Sequence, residues 1–337
     1  MQAHQFVVAV ILAALVVPLP AMASPVERWQ AEWPRTDFAR HTVPLEEIFS
    51  GGPPKDGIPS IDAPRFVPVA AATDLSPQEP VIGLVIDGDA RAYPLRILHW
   101  HEIVNDDVGG RPVAVTYCPL CNLPLVWDRR LETRVLTFGT TGKLRHSDLV
   151  MYDRETESWW QQATGTAIVG TLAGERLEEI ASRLESFARF RERAPAGRVL
   201  VPADPAARPY GLNPYAGYDS ADRPFLYRGE IPKGIPPMAR VVAVGNEAWS
   251  LDLLRQRRQI ESRDLVLSWQ PGQASALDTQ QVAAGRDVGN ILVQRRTESG
   301  LKDAAHMITF AFAFFAFHPD GVLHTPTGAV HGEDRAG

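Results

Sequence analysis

The sequence predicts an α+β fold rich in short antiparallel strands, built as a tandem duplication of one domain after a signal peptide. Three observations lead there. Proline and glycine are frequent, 28 and 26 in 337 residues, and they cut the chain into segments too short for long helices. Several of those segments alternate or run apolar in the manner of strands. A stretch beginning at Leu177 also matches one beginning at Leu301 without a gap.

The first element is a targeting segment. Residues 6–19 are almost wholly apolar and lead through Pro18-Leu19-Pro20 to Ala21-Met22-Ala23, a small-residue cleavage pattern, before Ser24. The run is short of the roughly 20 residues a membrane span needs. It predicts a cleaved signal peptide over 1–23, a periplasmic or secreted protein, and no stable membrane insertion. A mixed leader over 24–60 follows, with Pro-Pro and Gly-Gly breaks.

The first repeat is expected over 61–202. It opens with a strand at 81–86, a turn at Asp87-Gly88-Asp89 and a return strand at 90–93. Pro94 can start a short helix over 94–100. A turn at 106–112 precedes a buried strand at 113–117, a tight turn at 118–122 and a strand at 123–128. Further strands are expected at 135–138 and 149–152. Gly139-Thr140-Thr141-Gly142-Lys143 looks like a phosphate loop but lacks the Walker spacing and the Ser or Thr after Lys143, so it reads as a hairpin turn. Residues 177–193 have helical spacing, with Leu177, Ile180, Leu184 and Phe187 on one face.

A Pro-rich linker over 203–237 leads to a diverged second repeat over 238–328. Leu177, Leu184, Phe190, Pro195, Gly197 and Pro202 match Leu301, Ile308, Phe314, Pro319, Gly321 and Pro326. Residues 308–317 are strongly apolar but too short to span a membrane, and read as a buried helix. Gln270 and Gln273 stand where the first repeat has Cys118 and Cys121. The net charge of −6, with no basic aromatic cluster, argues against nucleic acid as a partner.

The chemistry is expected at Tyr117-Cys118-Pro119-Leu120-Cys121. These are the chain's only two cysteines, and they lie too close together to staple a large fold. Two thiols at this spacing suit disulfide exchange, a metal knuckle, or a passive disulfide that pins a turn. A thioredoxin-like motif needs a helix starting at the first cysteine, to lower its pKa. Here Pro124 and β-type residues follow, which favours a knuckle at a hairpin tip. Two thiolates half fill a tetrahedral site. His101 is the first candidate for a further ligand, with His99, Glu102 and Met151 behind it. His99 and His101 share a face only in an extended segment. The metal expected is copper or zinc, and only copper would accept Met151. Trp159 and Trp160 could form a sugar-binding platform, although alternation would bury one of them. Asp148 and Asp153 are a candidate carboxylate pair with unspecific spacing.

Several longer motifs occur together: Asp56-Gly57-Ile58-Pro59, Ala90-Arg91-Ala92-Tyr93-Pro94-Leu95, the segment from Trp100 through Asp106, Val115-Thr116-Tyr117-Cys118-Pro119-Leu120-Cys121, and the segment from Leu149 through Thr156. In this order they resemble bacterial domain-of-unknown-function family 3179, strongly over about 56–174 and weakly beyond. The resemblance implies that His101, Cys118 and Cys121 belong to a family pattern, and it implies no activity. His99 departs from that pattern. The leading expectation is an exported protein that binds copper or zinc through Cys118, Cys121 and His101, with a metal donor in the envelope as partner. The alternatives are a thiol–disulfide oxidoreductase using the same cysteines with a redox partner, and a non-catalytic module for envelope carbohydrate. Whether the protein is an enzyme stays open.

Overall fold

The computed structural model describes residues 25–332. The expected signal peptide over 1–23 lies outside them. Strand accounts for 41% and helix for 15%, in small, mostly antiparallel sheets arranged as a five-blade β-propeller. The expectation of an α+β fold in two tandem domains is therefore corrected. Helices among the described residues are a turn or two long, because Pro, Gly and strand-forming runs interrupt every helical stretch.

One sheet holds Arg183–Ser186, Pro80–Ile86, Asp89–Pro94, Arg198–Val201 and Arg65–Pro68, in that order. Another holds Met307–Phe310, Arg240–Val244, Glu247–Ser250, Val322–Thr325 and Gly328–His331. Each has a single parallel pairing, Asp89–Pro94 with Arg198–Val201 and Glu247–Ser250 with Val322–Thr325. This shared plan does not divide the molecule into two domains. One apolar core runs from Ile82 through Cys118 and Cys121 to Phe310, Phe314 and Leu323. The Thr309 hydroxyl and the Phe310 N–H both donate to the Cys121 carbonyl, at 2.8 and 3.2 Å. Arg183 pairs with Asp303 at 2.6 Å, and the Asn290 side chain accepts from the Ser186 N–H at 2.7 Å.

The elements that position the site follow the sequence closely. The short helix is Leu95–His101, and a meander of Ile103–Val108, Arg111–Cys118 and Leu123–Asp128 follows it. The turn expected at 106–112 shrinks to Gly109-Gly110, since both glycines take positive φ and close the hairpin tightly.

Three expectations fail for a common reason, namely that tertiary partners override local periodicity. Residues 177–193 are not one helix. Leu184 pairs with Ile82 in the strand Arg183–Ser186, and only Phe187–Arg193 is helical. Residues 308–317 divide into the strand Met307–Phe310 and the helix Ala311–Phe317. Residues 139–143 are not a hairpin tip but a bulge inside the strand Phe138–Arg145, with the register slipping between Thr140 and Lys143. The strand expected at 135–138 is split, with Val135 in Arg134–Val135 and Phe138 opening Phe138–Arg145.

The leader is not loose. Trp29, Trp33 and Phe38 pack edge-on around Trp159. Residues 203–237 fold back over the meander, where Tyr215 and Tyr218 lie against the core. No helix among the described residues is long and apolar enough to cross a membrane.

Candidate functional site

Cys118 ends one strand of the meander and pairs with Leu123, so Pro119, Leu120, Cys121 and Asn122 form the connecting turn. Asn122 takes φ 52°, a left-handed conformation that asparagine tolerates better than most residues. The turn closes through the Asn122 N–H to the Pro119 carbonyl at 3.1 Å. No helix begins at Cys118, so the thiols lack the helix N-terminus that activates thioredoxin-like cysteines.

A second hairpin meets this tip. Arg145 pairs with Asp148, leaving His146 and Ser147 as a two-residue turn with φ 56° and 65°. Both central residues of such a turn need positive φ, which Asn-Gly meets easily and His-Ser does not. The turn aims the Ser147 carbonyl at both sulfurs, 3.8 Å from Cys118 Sγ and 3.4 Å from Cys121 Sγ. It also brings the Asp148 carboxylate to them. The two sulfurs and an Asp148 oxygen lie within 4.8 Å of one another.

All three groups are buried and both cysteines are free thiols. Asp148 Oδ2 accepts from Gln161 Nε2 at 2.6 Å and the Ala163 N–H at 3.0 Å, while Oδ1 is buried without a partner. Burial pushes the Asp148 carboxyl up to about 7 despite those hydrogen bonds. Burial also pushes the Cys118 thiol up, and the Cys121 thiol further. Glu102 stands close by. Burial, then the charge of Asp148, raise it to about 8. Among the described residues no basic side chain bonds to any of these four acids, and a buried acid without a counter-charge is costly when ionised.

The sequence-predicted ligands are not all brought together. His101 does not join the cysteines. Its Nδ1 meets the Pro59 carbonyl at 2.7 Å, its Nε2 meets the Tyr210 hydroxyl at 2.8 Å, and the two rings stack. His99 is buried between the rings of Tyr117 and Tyr215 with neither nitrogen hydrogen-bonded, and burial lowers its pKa to about 3. Met151 is a core residue paired across the sheet with Trp160. Asp148 and Asp153 sit at opposite ends of one strand and do not pair. Asp153 instead accepts from Trp160 Nε1 at 2.9 Å. Trp159 and Trp160 are both fully buried, which removes the expected sugar platform.

Sequence reasoning missed Asp148 as the third member of the cluster. The available signal was a lone carboxylate opening a strand whose other residues are mostly apolar. It also missed the cover. The Tyr218 hydroxyl donates to the Leu120 carbonyl at 3.0 Å and accepts from the Phe225 N–H at 3.1 Å, and the Ser147 hydroxyl donates to the Phe225 carbonyl at 2.5 Å. Residues 214–226 thereby form a strap across the tip.

The profile of one protein family, described as "Protein of unknown function (DUF3179)", matches residues 55–321, so a single unit includes the cysteines, the strap and the second half. The chain belongs to the DUF3179 family. No curated protein and no solved structure matches it. In this DUF3179 protein the cluster of Cys118, Cys121 and Asp148 is the strongest chemical feature of the described residues. Among the described residues the second half offers no counterpart, since Gln270 is exposed and Gln273 is buried with its N–H donating to the Asp287 carboxylate.

Proposed function

We propose that this is an exported protein that binds a transition metal through Cys118, Cys121 and Asp148, with zinc favoured over copper. The observation that carries the reading is the gathering of two thiols and a carboxylate within 4.8 Å, in a buried acidic setting where no basic side chain among the described residues bonds to them. Two thiolates and a carboxylate suit borderline zinc, whereas copper(I) prefers softer partners such as methionine, and Met151 is engaged elsewhere. The orphan Oδ1 of Asp148 supplies the remaining lone pairs. Three protein ligands leave one tetrahedral position open, the pattern of sites that bind a further molecule. Export rests on the apolar segment at 6–19 and the Ala21-Met22-Ala23 pattern.

The test is elemental analysis of the protein isolated from its native compartment, together with a thiol count. About one zinc per chain is expected, falling several-fold in Cys118→Ser and in Asp148→Asn, with His101→Ala and Gln270→Ala unchanged. Metal-free protein that takes up no zinc at neutral pH would overturn the reading.

A second reading, dithiol–disulfide exchange, is favoured by one observation. An Asp148 oxygen lies within 4.8 Å of both sulfurs, and burial pushes its carboxyl up to about 7, where a general base works best. The two thiols would pass two electrons and two protons to a disulfide-bearing partner. Against it, both sulfurs are buried and their pKa values are raised, opposite to reactive exchange cysteines. A metal-free protein whose disulfide opens readily in reduced glutathione would favour this reading.

A further inference from the structure

A cavity of about 500 Å³ adjoins the cluster, within the roughly 300–1,000 Å³ range of small-molecule sites. Its floor includes Leu120 and Leu149, the residues next to Cys121 and Asp148. Its roof is the strap, through Tyr215, Tyr218 and Phe225. The wall is largely apolar, and most of its polar side chains already have protein partners. Thr140 Oγ1 donates to the Ile58 carbonyl at 2.8 Å, Lys143 Nζ to Glu32 at 2.9 Å, and the Tyr218 hydroxyl to Leu120. The Glu102 carboxyl and the Tyr215 hydroxyl line the same cavity and have no hydrogen-bond partner among the described residues. Glu102 is only 7% exposed.

We infer that this cavity binds an uncharged small molecule with an apolar body and a hydrogen-bond-accepting end, such as a ketone, held by that end at Glu102 and Tyr215. The inference goes beyond the metal reading and does not depend on it.

The chemistry of the wall selects this class. Neither group spends its hydrogen-bonding capacity within the protein, and a ligand acceptor would satisfy both donors at once. An anion is disfavoured because the one carboxyl in the lining is Glu102 and the one lysine is already paired with Glu32. A cation needs an ionised counter-charge, and burial, then the charge of Asp148, raise the Glu102 carboxyl to about 8, so its protonated form predominates at pH 7. The tyrosine rings and aliphatic side chains supply the contact area that an apolar body requires.

The test uses the full-length, metal-free protein and a fluorescent naphthyl ketone, 6-propionyl-2-dimethylaminonaphthalene, as probe. Titration should show one saturable site with blue-shifted emission. Binding should weaken about tenfold in Ala216→Trp, which fills the cavity from an exposed strap position, with circular dichroism confirming the fold. Glu102→Ala should weaken it by about five- to tenfold, and Glu102→Gln, which keeps an uncharged donor, should restore most of the loss. Tyr215→Phe should weaken it several-fold. Anilinonaphthalenesulfonate, an anion of similar body, should bind about tenfold less tightly. Non-saturable binding, binding indifferent to Ala216→Trp, or tighter binding of the sulfonate or of a naphthylmethylammonium cation would overturn the inference. Because the titration contains no metal, its failure leaves the zinc stoichiometry standing, and a failed zinc measurement leaves the cavity standing.

Discussion

At the scale of the residue, Asp148 and Glu102 are carboxyls whose neutral forms the fold favours. Burial holds them near 7 and 8, while in the unfolded chain both titrate near 4. Between about pH 4 and pH 8 the folded state therefore keeps more protons than the unfolded one, so their effect is to lower stability as pH rises through that window. For the metal-free protein we expect this pair to cost on the order of a few kcal/mol by pH 8 relative to pH 5. Urea denaturation at both pH values measures it, and Asp148→Asn should flatten the difference. Equal slopes for wild type and variant would remove the buried-carboxyl account. Metal affinity should run the other way. All three ligands must lose protons to coordinate, so zinc uptake should strengthen steeply from pH 6 to 8.

At the scale of the element, two hairpin tips and a strap are held together by a few backbone-directed contacts. Gly142 lies in the bulge of the strand Phe138–Arg145 with φ 69°, where an added Cβ would stand 1.9 Å from the Pro53 carbonyl oxygen. Gly142→Ala should therefore cost about 2 kcal/mol or more, read from its denaturation midpoint. A change within a few tenths of wild type would show that the bulge yields easily. Tyr218→Phe removes the hydroxyl that ties the strap to Leu120 and Phe225. It should cost about 1 kcal/mol and speed the labelling of Cys118 and Cys121 by an uncharged thiol reagent in the reduced, metal-free protein. Unchanged labelling would mean that the strap does not limit access to the sulfurs.

At the scale of the whole molecule, a continuous core joins the cysteine turn to the apolar helix Ala311–Phe317, and the family match over residues 55–321 crosses both halves. A protein built this way should unfold in one cooperative step. We expect calorimetry and tryptophan fluorescence to report coincident transitions, and Leu267→Ala in the second half to lower that single midpoint by about 2–5 kcal/mol in stability. Two separated transitions would restore the picture of independent domains.

The sequence by itself determined the local pieces around the site. The strands on either side of Cys118 and Cys121, the tight turn between them and the helix ahead of His101 were legible. Each depends on neighbours in the chain: Pro94 starting a helix, apolar runs making strands, and Pro124 ruling out a helix after the thiols. The absence of a thioredoxin-like arrangement followed from the same local signals. Only the tertiary structure decided what meets the thiols. His101 is close to Cys118 in sequence, but its ring nitrogens are taken by Pro59 and Tyr210, and Asp148 arrives from another hairpin through a turn with two strained residues. The helical spacing at 177–193 likewise lost to strand pairing with Pro80–Ile86, and the segment that reads as a linker became the strap over the site. Hydrophobic periodicity shows which face of a segment is buried but not which partner buries it. That choice is made by long-range packing, and a ligand set assembled from separate hairpins belongs to the same level.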